Sequence, residues 1–182
     1  FQILATPAES ALVTIPEDAY PAEYRGKYIF GNLLSHDLYV NELKRNGSTF
    51  ETYNLGQFLD SHDTWFATSD LTLGPDGAIY VADWCDKRTA HPDPDATWDR
   101  SNGRIYRIVT KDMKPIGPFD LQKLSSRRLV GLLDNPNKWF VRRALLHLAE
   151  RQDKSVHARL RKQLKSSEDP RAALNSLFAL YG

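Results

Sequence analysis

The sequence predicts a chain in two parts: a β-rich part that forms about two blades of a propeller, then an α-helical part of HEAT-like repeats. Residues 1–110 contain short runs rich in Tyr, Ile, Val and Phe, separated by turn sequences, as is typical of β-strands. Residues 111–182 instead place apolar residues at helical spacing. The charge changes at the same boundary, from 9 Lys/Arg against 16 Asp/Glu (net −7) to 15 against 7 (net +8). We therefore predict two domains, 1–110 and 111–182.

The first part is predicted to contain six strands, at residues 26–32, 37–43, 48–53, 70–73, 78–84 and 103–109. RNGS (45–48) and GPDG (74–77) supply turn chemistry between neighbouring strands. KYIFGN (27–32) aligns with AIYVAD (78–83) at an offset of 51, a period within the range of propeller blades. Because two blades cannot close a ring of roughly four to eight, we expect further blades to precede Phe1.

The second part is predicted to form four helices, the first of them short and within SSRRLVGLLD. The second starts at Asn135–Pro136, the third at a Ser155 cap, and the last at an Asp169 cap followed by Pro170. The apolar stripes of the longer helices are Val141, Ala144, Leu145 and Leu148, then Val156, Leu160 and Leu164, then Ala173, Leu174, Leu177 and Phe178. Helices that repeat in pairs indicate a solenoid in which each pair buries its stripe against the next.

Composition excludes several classes of protein. The longest apolar runs are too short for a membrane span, which needs about 18 residues or more. One cysteine permits neither an internal disulfide nor a CxxC metal or haem motif. The basic second part lacks the interleaved aromatic residues of a single-strand binder, so no nucleic-acid partner is predicted. No signal peptide occurs in this segment.

An insertion distinguishes the two predicted blades. Four residues separate Asn32 from Asp37, whereas twenty separate Asp83 from Arg104 at the corresponding joint. The inserted residues 85–102 are rich in Asp, Arg, His and Trp, and loops of this length are usually functional or disordered. On a propeller such a loop would project from one face of the ring.

Four interpretations of this insertion remain open. Carboxylates at Asp93, Asp95 and Asp99 are ligands suited to Ca²⁺, although their spacing is not that of an EF-hand. His91 is a candidate catalytic base, because its pKa near neutrality permits proton abstraction. Trp84 and Trp98 could instead brace the loop, or the loop could contact a partner. Cys85 is predicted to be a buried small side chain, since no activating arrangement is evident.

An ordered set of motifs resembles one family. PAEYRGKYIFGN, RNGSTF, DTWF, LGPDGAIYVADW, DRSNGRIYRI and NPNKWFVRRALLHLAER, in this order, look like the PVC-type haem-binding CxxCH proteins, also described as membrane-bound dehydrogenases. Their propeller is similar to that of soluble glucose and sorbosone dehydrogenases. The resemblance covers roughly residues 20–182. It implies a propeller, HEAT-like repeats and a c-type cytochrome domain in an exported, periplasmic or otherwise extracytoplasmic protein.

The resemblance also implies a function: oxidation of a sugar or alcohol, with a quinone cofactor of the PQQ type and electrons passed to haem c. This chain has no CxxCH motif and only about two blades, so the segment alone is expected to be inactive. Its partners would be the remaining blades and the cytochrome domain of the same protein. The residues at the matching insertion are the candidates for cofactor binding: Asp83, Trp84, Asp86 and Arg88. The alternative is a non-catalytic scaffold whose helices bind a partner protein.

Overall fold

The structure is a computed structural model that describes residues 9–16, 19–86 and 101–182. The chain divides into two compact units, Phe1–Met113 and Lys114–Gly182. Among the described residues, the first unit is built on two antiparallel β-sheets and the second on four α-helices. The prediction of a mixed chain, with β-structure before α-structure, is therefore confirmed. None of the described helices is long and apolar enough to cross a membrane.

Sheet A contains four antiparallel strands in sequence order: β1 (Glu9–Thr14), β2 (Tyr28–Asn32), β3 (Asp37–Asn46) and β4 (Thr49–Asp60). Sheet B contains three, also in sequence order: β5 (Thr68–Leu73), β6 (Ile79–Asp83) and β7 (Arg104–Ile108). The sequence prediction missed β1, because ESALVT lacks the aromatic residues that mark the other strands. It also ended β4 too early, at residue 53.

The internal repeat corresponds to equivalent strands. Strands β2 and β6 each have five residues and begin 51 positions apart. The β2–β3 pairing starts with Asn32 opposite Asp37, and the β6–β7 pairing starts with Asp83 opposite Arg104. The joint between β6 and β7 is thus the structural counterpart of the short turn between β2 and β3.

Sheets A and B pack against each other around one apolar core. The core residues of β2 and β3 include Ile29, Leu38 and Val40, whereas those of β6 are Ile79 and Val81. The repeat aligns Ile29 with Tyr80, so the two sheets use opposite faces of the same motif. A Cβ on Gly31 would overlap the Thr68 side chain, and glycine therefore permits the close approach of β2 to β5.

The helical unit contains α1 (Ser126–Gly131), α2 (Lys138–Arg151), α3 (His157–Ser166) and α4 (Pro170–Tyr181). Its buried core consists of Leu121, Leu129, Val130, Leu133, Ala144, Leu148, Val156 and Leu160. The predicted cap of α4 is confirmed, because the Asp169 carboxylate accepts a hydrogen bond from the Arg171 N–H and Pro170 opens the helix.

Three helical details differ from the prediction. Helix α2 begins at Lys138 rather than at Asn135, because Asn135 accepts the Asn137 N–H in a local turn and Asn137 caps the helix. Asp153, rather than Ser155, is the capping residue: its side chain accepts the Ser155 N–H in the 3₁₀ turn that leads into α3. The predicted α4 stripe is exposed, whereas Ala172 and Ser176 form its buried face.

Tyr20 connects strands β6 and β7 of sheet B at one end. Its buried hydroxyl accepts a hydrogen bond from the Ile79 N–H at 3.0 Å and donates one to the Ile108 carbonyl at 2.9 Å. The phenol thus substitutes for a direct backbone hydrogen bond between β6 and β7. Burial raises the pKa of Tyr20 from its ordinary value of 10.0 to about 12.

We predict that Tyr20 makes the β unit sensitive to alkaline pH. Because the folded pKa lies above the unfolded one, the contribution is complete below about pH 10 and is lost as the pH rises towards about 12. Replacing Tyr20→Phe leaves two buried backbone groups without partners and should cost about 1–3 kcal/mol at neutral pH. It should also flatten the decline in stability above pH 10. Urea unfolding at several pH values measures both effects, and Tyr181→Phe at an exposed position is the matched control.

Candidate functional site

The candidate site lies where β6 ends and β7 begins. The Asp83 side chain is fully buried there. Its Oδ1 accepts hydrogen bonds from the backbone N–H groups of Ala67, at 2.8 Å, and Cys85, at 2.9 Å. Both donors come from segments adjoining strands of sheet B, so Asp83 fixes the path of the chain as it leaves β6. Two N–H donors and a nearby cation supply the partners that a buried carboxylate requires.

Arg104 provides that cation and links three groups. Its Nε lies 3.0 Å from Asp83 Oδ2, an ion pair whose N–H direction does not meet hydrogen-bond geometry. Its Nη2 donates to Asp63 Oδ2 at 2.9 Å and lies 2.6 Å from Cys85 Sγ. One guanidinium therefore joins β7, the end of β6 and the loop between β4 and β5.

Asp63 receives a second interaction that favours its charged form. The Trp65 N–H donates to Asp63 Oδ1 at 2.9 Å, and this bond contributes most to a pKa below the ordinary value of 3.8. Partial burial opposes the shift, whereas Arg104 adds to it. Asp63 is consequently ionised at neutral pH and remains paired with the guanidinium.

Two indoles lie beside this network. The backbone N–H of Trp84 donates to the Ala67 carbonyl at 2.8 Å, and the backbone N–H of Asp86 donates to the Trp65 carbonyl at 3.1 Å. These bonds extend the pairing of β5 and β6 beyond the strand ends. Trp65 and Trp84 are 37% and 43% exposed, which is high for tryptophan so close to buried residues. Asp86, two residues after Trp84, is buried.

Backbone strain marks the same joint. Cys85 has a φ of 54°, in the left-handed region that residues other than glycine seldom adopt. Its N–H bond to Asp83 and its sulfur contact with Arg104 hold that conformation. The prediction that Cys85 is buried is confirmed.

At the equivalent joint of sheet A, His36 also has a left-handed φ, of 63°. Its Nδ1 lies 2.6 Å from the Phe66 carbonyl. The short β2–β3 turn of sheet A is therefore attached to the segment that leads into β5 of sheet B. His36 burial is partial, and the residue is best described as a structural link.

Of the predicted site residues, the structure describes Asp83, Trp84 and Asp86, which lie close together along the chain at the end of β6. Arg88, His91, Asp93, Asp95, Trp98 and Asp99 lie outside the described residues, so the base, metal and brace interpretations stay predictions. Sequence analysis identified neither Arg104 as the central cation nor Asp63 as its partner. The strand register could have identified Arg104, because it is the first residue of β7 and lies directly opposite Asp83.

The implied cofactors can be tested against these residues. Haem c needs a CxxCH motif, which a chain with one cysteine does not contain. Among the described residues no group of three or more His, Cys, Asp and Glu side chains could hold a metal ion. A PQQ-type quinone is itself a carboxylate, whereas Arg104 is already neutralised by Asp63 and Asp83. The described residues therefore contain no haem-attachment motif and no metal-binding group, and the quinone stays a prediction.

We predict that Arg104 and Asp83 are strongly coupled in the stability of the β unit. Arg104→Gln leaves a buried carboxylate without its cation and should cost about 3 kcal/mol, the lower end for broken buried pairs because Arg104 is itself partly exposed. The double variant that adds Asp83→Asn removes that charge and should recover part of the loss. A double-mutant cycle from urea unfolding measures the coupling. Arg45→Gln, whose side chain donates to Gly47 on an exposed hairpin, is the control; additive effects would contradict the coupling.

Comparison with known proteins gives one match. The sequence profile of a family described as a domain of unknown function, DUF7133, matches residues 5–112. This region contains all the described strands of both sheets and every residue of the candidate site. No curated protein and no solved structure matches the chain. Because the matched region exceeds half of the sequence, the chain belongs to the family defined by the domain of unknown function DUF7133.

Proposed function

We propose that this chain is the propeller segment and adjoining HEAT-like helices of an extracytoplasmic dehydrogenase that oxidises a sugar or an alcohol. Oxidation of an alcohol to a carbonyl releases two electrons and two protons, and the electrons would pass to a c-type haem domain outside this chain. The proposal draws its chemistry from the family resemblance of the ordered motifs. The structural observation that favours it is the Asp63–Arg104–Asp83 network flanked by exposed Trp65 and Trp84.

The stacking of the sheets supports the propeller part of the proposal. Leu38 in β3 is fully buried against sheet B, yet its repeat equivalent in β7, Ile105, is 77% exposed. The same motif position is thus covered in one sheet and uncovered in the other. Two sheets that stack in this way leave one outer face uncovered on each sheet. Further sheets that closed a ring would cover both faces. This is the arrangement expected of neighbouring propeller blades.

The chemistry at the β6–β7 joint supports a polyhydroxylated substrate. Indole rings offer flat apolar surface, and carboxylates accept hydrogen bonds from hydroxyl groups. Asp63, whose side chain is partly exposed, is positioned by the Trp65 N–H and by Arg104 before a ligand arrives, and the fully buried Asp83 holds Arg104 in place. His91 is the proposed base that removes the hydroxyl proton. The quinone would need cationic residues beyond those described.

The proposal predicts a specific effect of Trp84→Ala in the full-length protein. Loss of the stacking surface should raise KM for the sugar or alcohol about tenfold, which corresponds to about 1.4 kcal/mol of binding, without changing the melting temperature. His91→Ala should instead abolish kcat at unchanged melting temperature. Dye-linked oxidation of a sugar and alcohol panel measures both. Phe50→Ala, at an exposed position of the β3–β4 hairpin, is the control. Full activity of both site variants would contradict the proposed site.

A second candidate function is a scaffold that binds a partner protein through the helical unit. The observation that favours it is the exposed apolar stripe of α4, with Leu174 46%, Leu177 36%, Phe178 55% and Tyr181 85% exposed. Clusters of exposed apolar residues on one helix face often mark interaction sites. The net charge of +8 in residues 111–182 favours an acidic partner.

The scaffold function predicts that Phe178→Glu abolishes capture of an acidic partner while the helical unit stays folded. The matched control is Phe50→Glu, which introduces the same charge at an exposed phenylalanine of the β unit. Cross-linking followed by mass spectrometry of the immobilised chain measures capture, and circular dichroism measures folding. Equal capture by both variants would exclude the α4 stripe as the binding surface.

A further inference from the structure

Strand β7 lacks an outer neighbour that its structural counterpart possesses. In sheet A, β3 pairs with β4 on its outer side, where Leu38 lies opposite Leu59. In sheet B, β7 is the counterpart of β3, yet it is the edge strand among the described residues. The internal repeat therefore identifies a missing position, that of a fourth strand beside β7.

The backbone of β7 presents hydrogen-bonding groups at that position. The Gly74 N–H donates to the Ala78 carbonyl at 2.8 Å, so Ala78 faces β5 and Ile79 faces β7. The Ile108 carbonyl faces β6 in turn, because it binds the same Tyr20 hydroxyl as the Ile79 N–H. Since successive residues of a strand direct their backbone groups to opposite sides, Ile105 and Arg107 direct theirs to the open edge.

A groove of about 490 Å³ lies along this edge. Four consecutive residues, 106–109, line the groove. Because successive side chains of a strand point to opposite faces of the sheet, a groove that contacts all four lies beside the edge of the strand rather than on one face. Its other walls are mainly apolar and come from sheet A and from the core of sheet B: Leu38, Leu59, Phe66 and Val81. A strand placed here would both cover these apolar side chains and pair with the outward-facing backbone groups of β7.

The charges at the groove define what could bind. Asp60 and Asp63 line it, and the strand-forming part of the sequence has a net charge of −7. The only arginine among the lining residues, Arg107, is already paired with Asp76 at 2.7 Å. Edge strands are usually protected by unpaired charges or by prolines. Strand β7 (RIYRI) contains no proline, and both of its arginines are paired with aspartates.

We propose that β7 binds an extended peptide segment of another polypeptide as a fourth, antiparallel strand of sheet B. The segment places apolar side chains at alternate positions into the groove, and a Lys or Arg at its end pairs with Asp60. The mode is β-strand addition, in which backbone hydrogen bonds supply affinity and side-chain pockets supply specificity. The proposal is independent of the dehydrogenase activity and would stand if that activity were absent.

A synthetic peptide tests the proposal with the complete chain of 182 residues. The probe is acetylated and amidated KVTVTVT labelled with fluorescein, and the measurement is fluorescence anisotropy. Ile105→Pro removes one outward N–H while leaving the β6–β7 ladder intact, because proline is tolerated on an open strand edge. Ile105→Ala keeps that N–H and is the matched control. We expect Ile105→Ala to bind like the unaltered chain and Ile105→Pro to bind about tenfold more weakly.

A second measurement keeps the proposal testable if Ile105→Pro fails to fold. On addition of KVTVTVT, hydrogen exchange at the Ile105 and Arg107 amides of the unaltered chain should slow about tenfold, and the variant EVTVTVT should protect them less. Equal peptide affinity of the proline and alanine variants, or unchanged exchange at both amides, would overturn the proposal. Concentration-dependent self-association that Ile105→Pro abolishes, without peptide binding, would overturn it in favour of a second copy of this chain.

Discussion

The buried carboxylate of Asp83 is the constraint on which the β unit depends. A charge in an apolar interior is costly unless donors and a cation surround it. Here the donors are backbone N–H groups just before β5 and just after β6, and the cation is the first residue of β7. Satisfying this carboxylate therefore fixes the end of β6, the start of β7 and the loop that contains Asp63.

The same constraint explains why the candidate site is located at this joint. Arg104 cannot reach Asp63 and Asp83 unless β7 begins opposite the end of β6. Trp65 and Trp84, both partly exposed, adjoin these charged residues along the chain. At the equivalent joint in sheet A, Asn32 is buried where Asp83 lies, and a short turn with His36 completes the connection. One motif thus gives a plain turn in one sheet and a charged network in the other.

Several apolar surfaces of the molecule are incompletely buried. Ile105 is exposed although its counterpart Leu38 is buried, β7 has an open edge although β3 does not, and the α4 stripe faces solvent. Exposed apolar surface of this kind often marks a site of interaction. Apolar surface of this kind gains roughly 25 cal/mol per Å² on burial, which favours association at these positions.

The sequence by itself determined the order of β-structure before α-structure, the strand repeat at an offset of 51 and the Asp169 cap, because each depends on local periodicity or turn chemistry. It did not predict β1, whose pairing with β2 depends on a distant strand. Nor did it identify Arg104, since the spacing of Asp63, Asp83 and Arg104 along the chain has no regular period. The buried face of α4 was also misassigned, because Leu174 and Phe178 are the more apolar residues while Ala172 and Ser176 are small enough for close helix contact. Contacts between residues far apart in sequence, and the space available at a packed interface, are decided only by the tertiary structure.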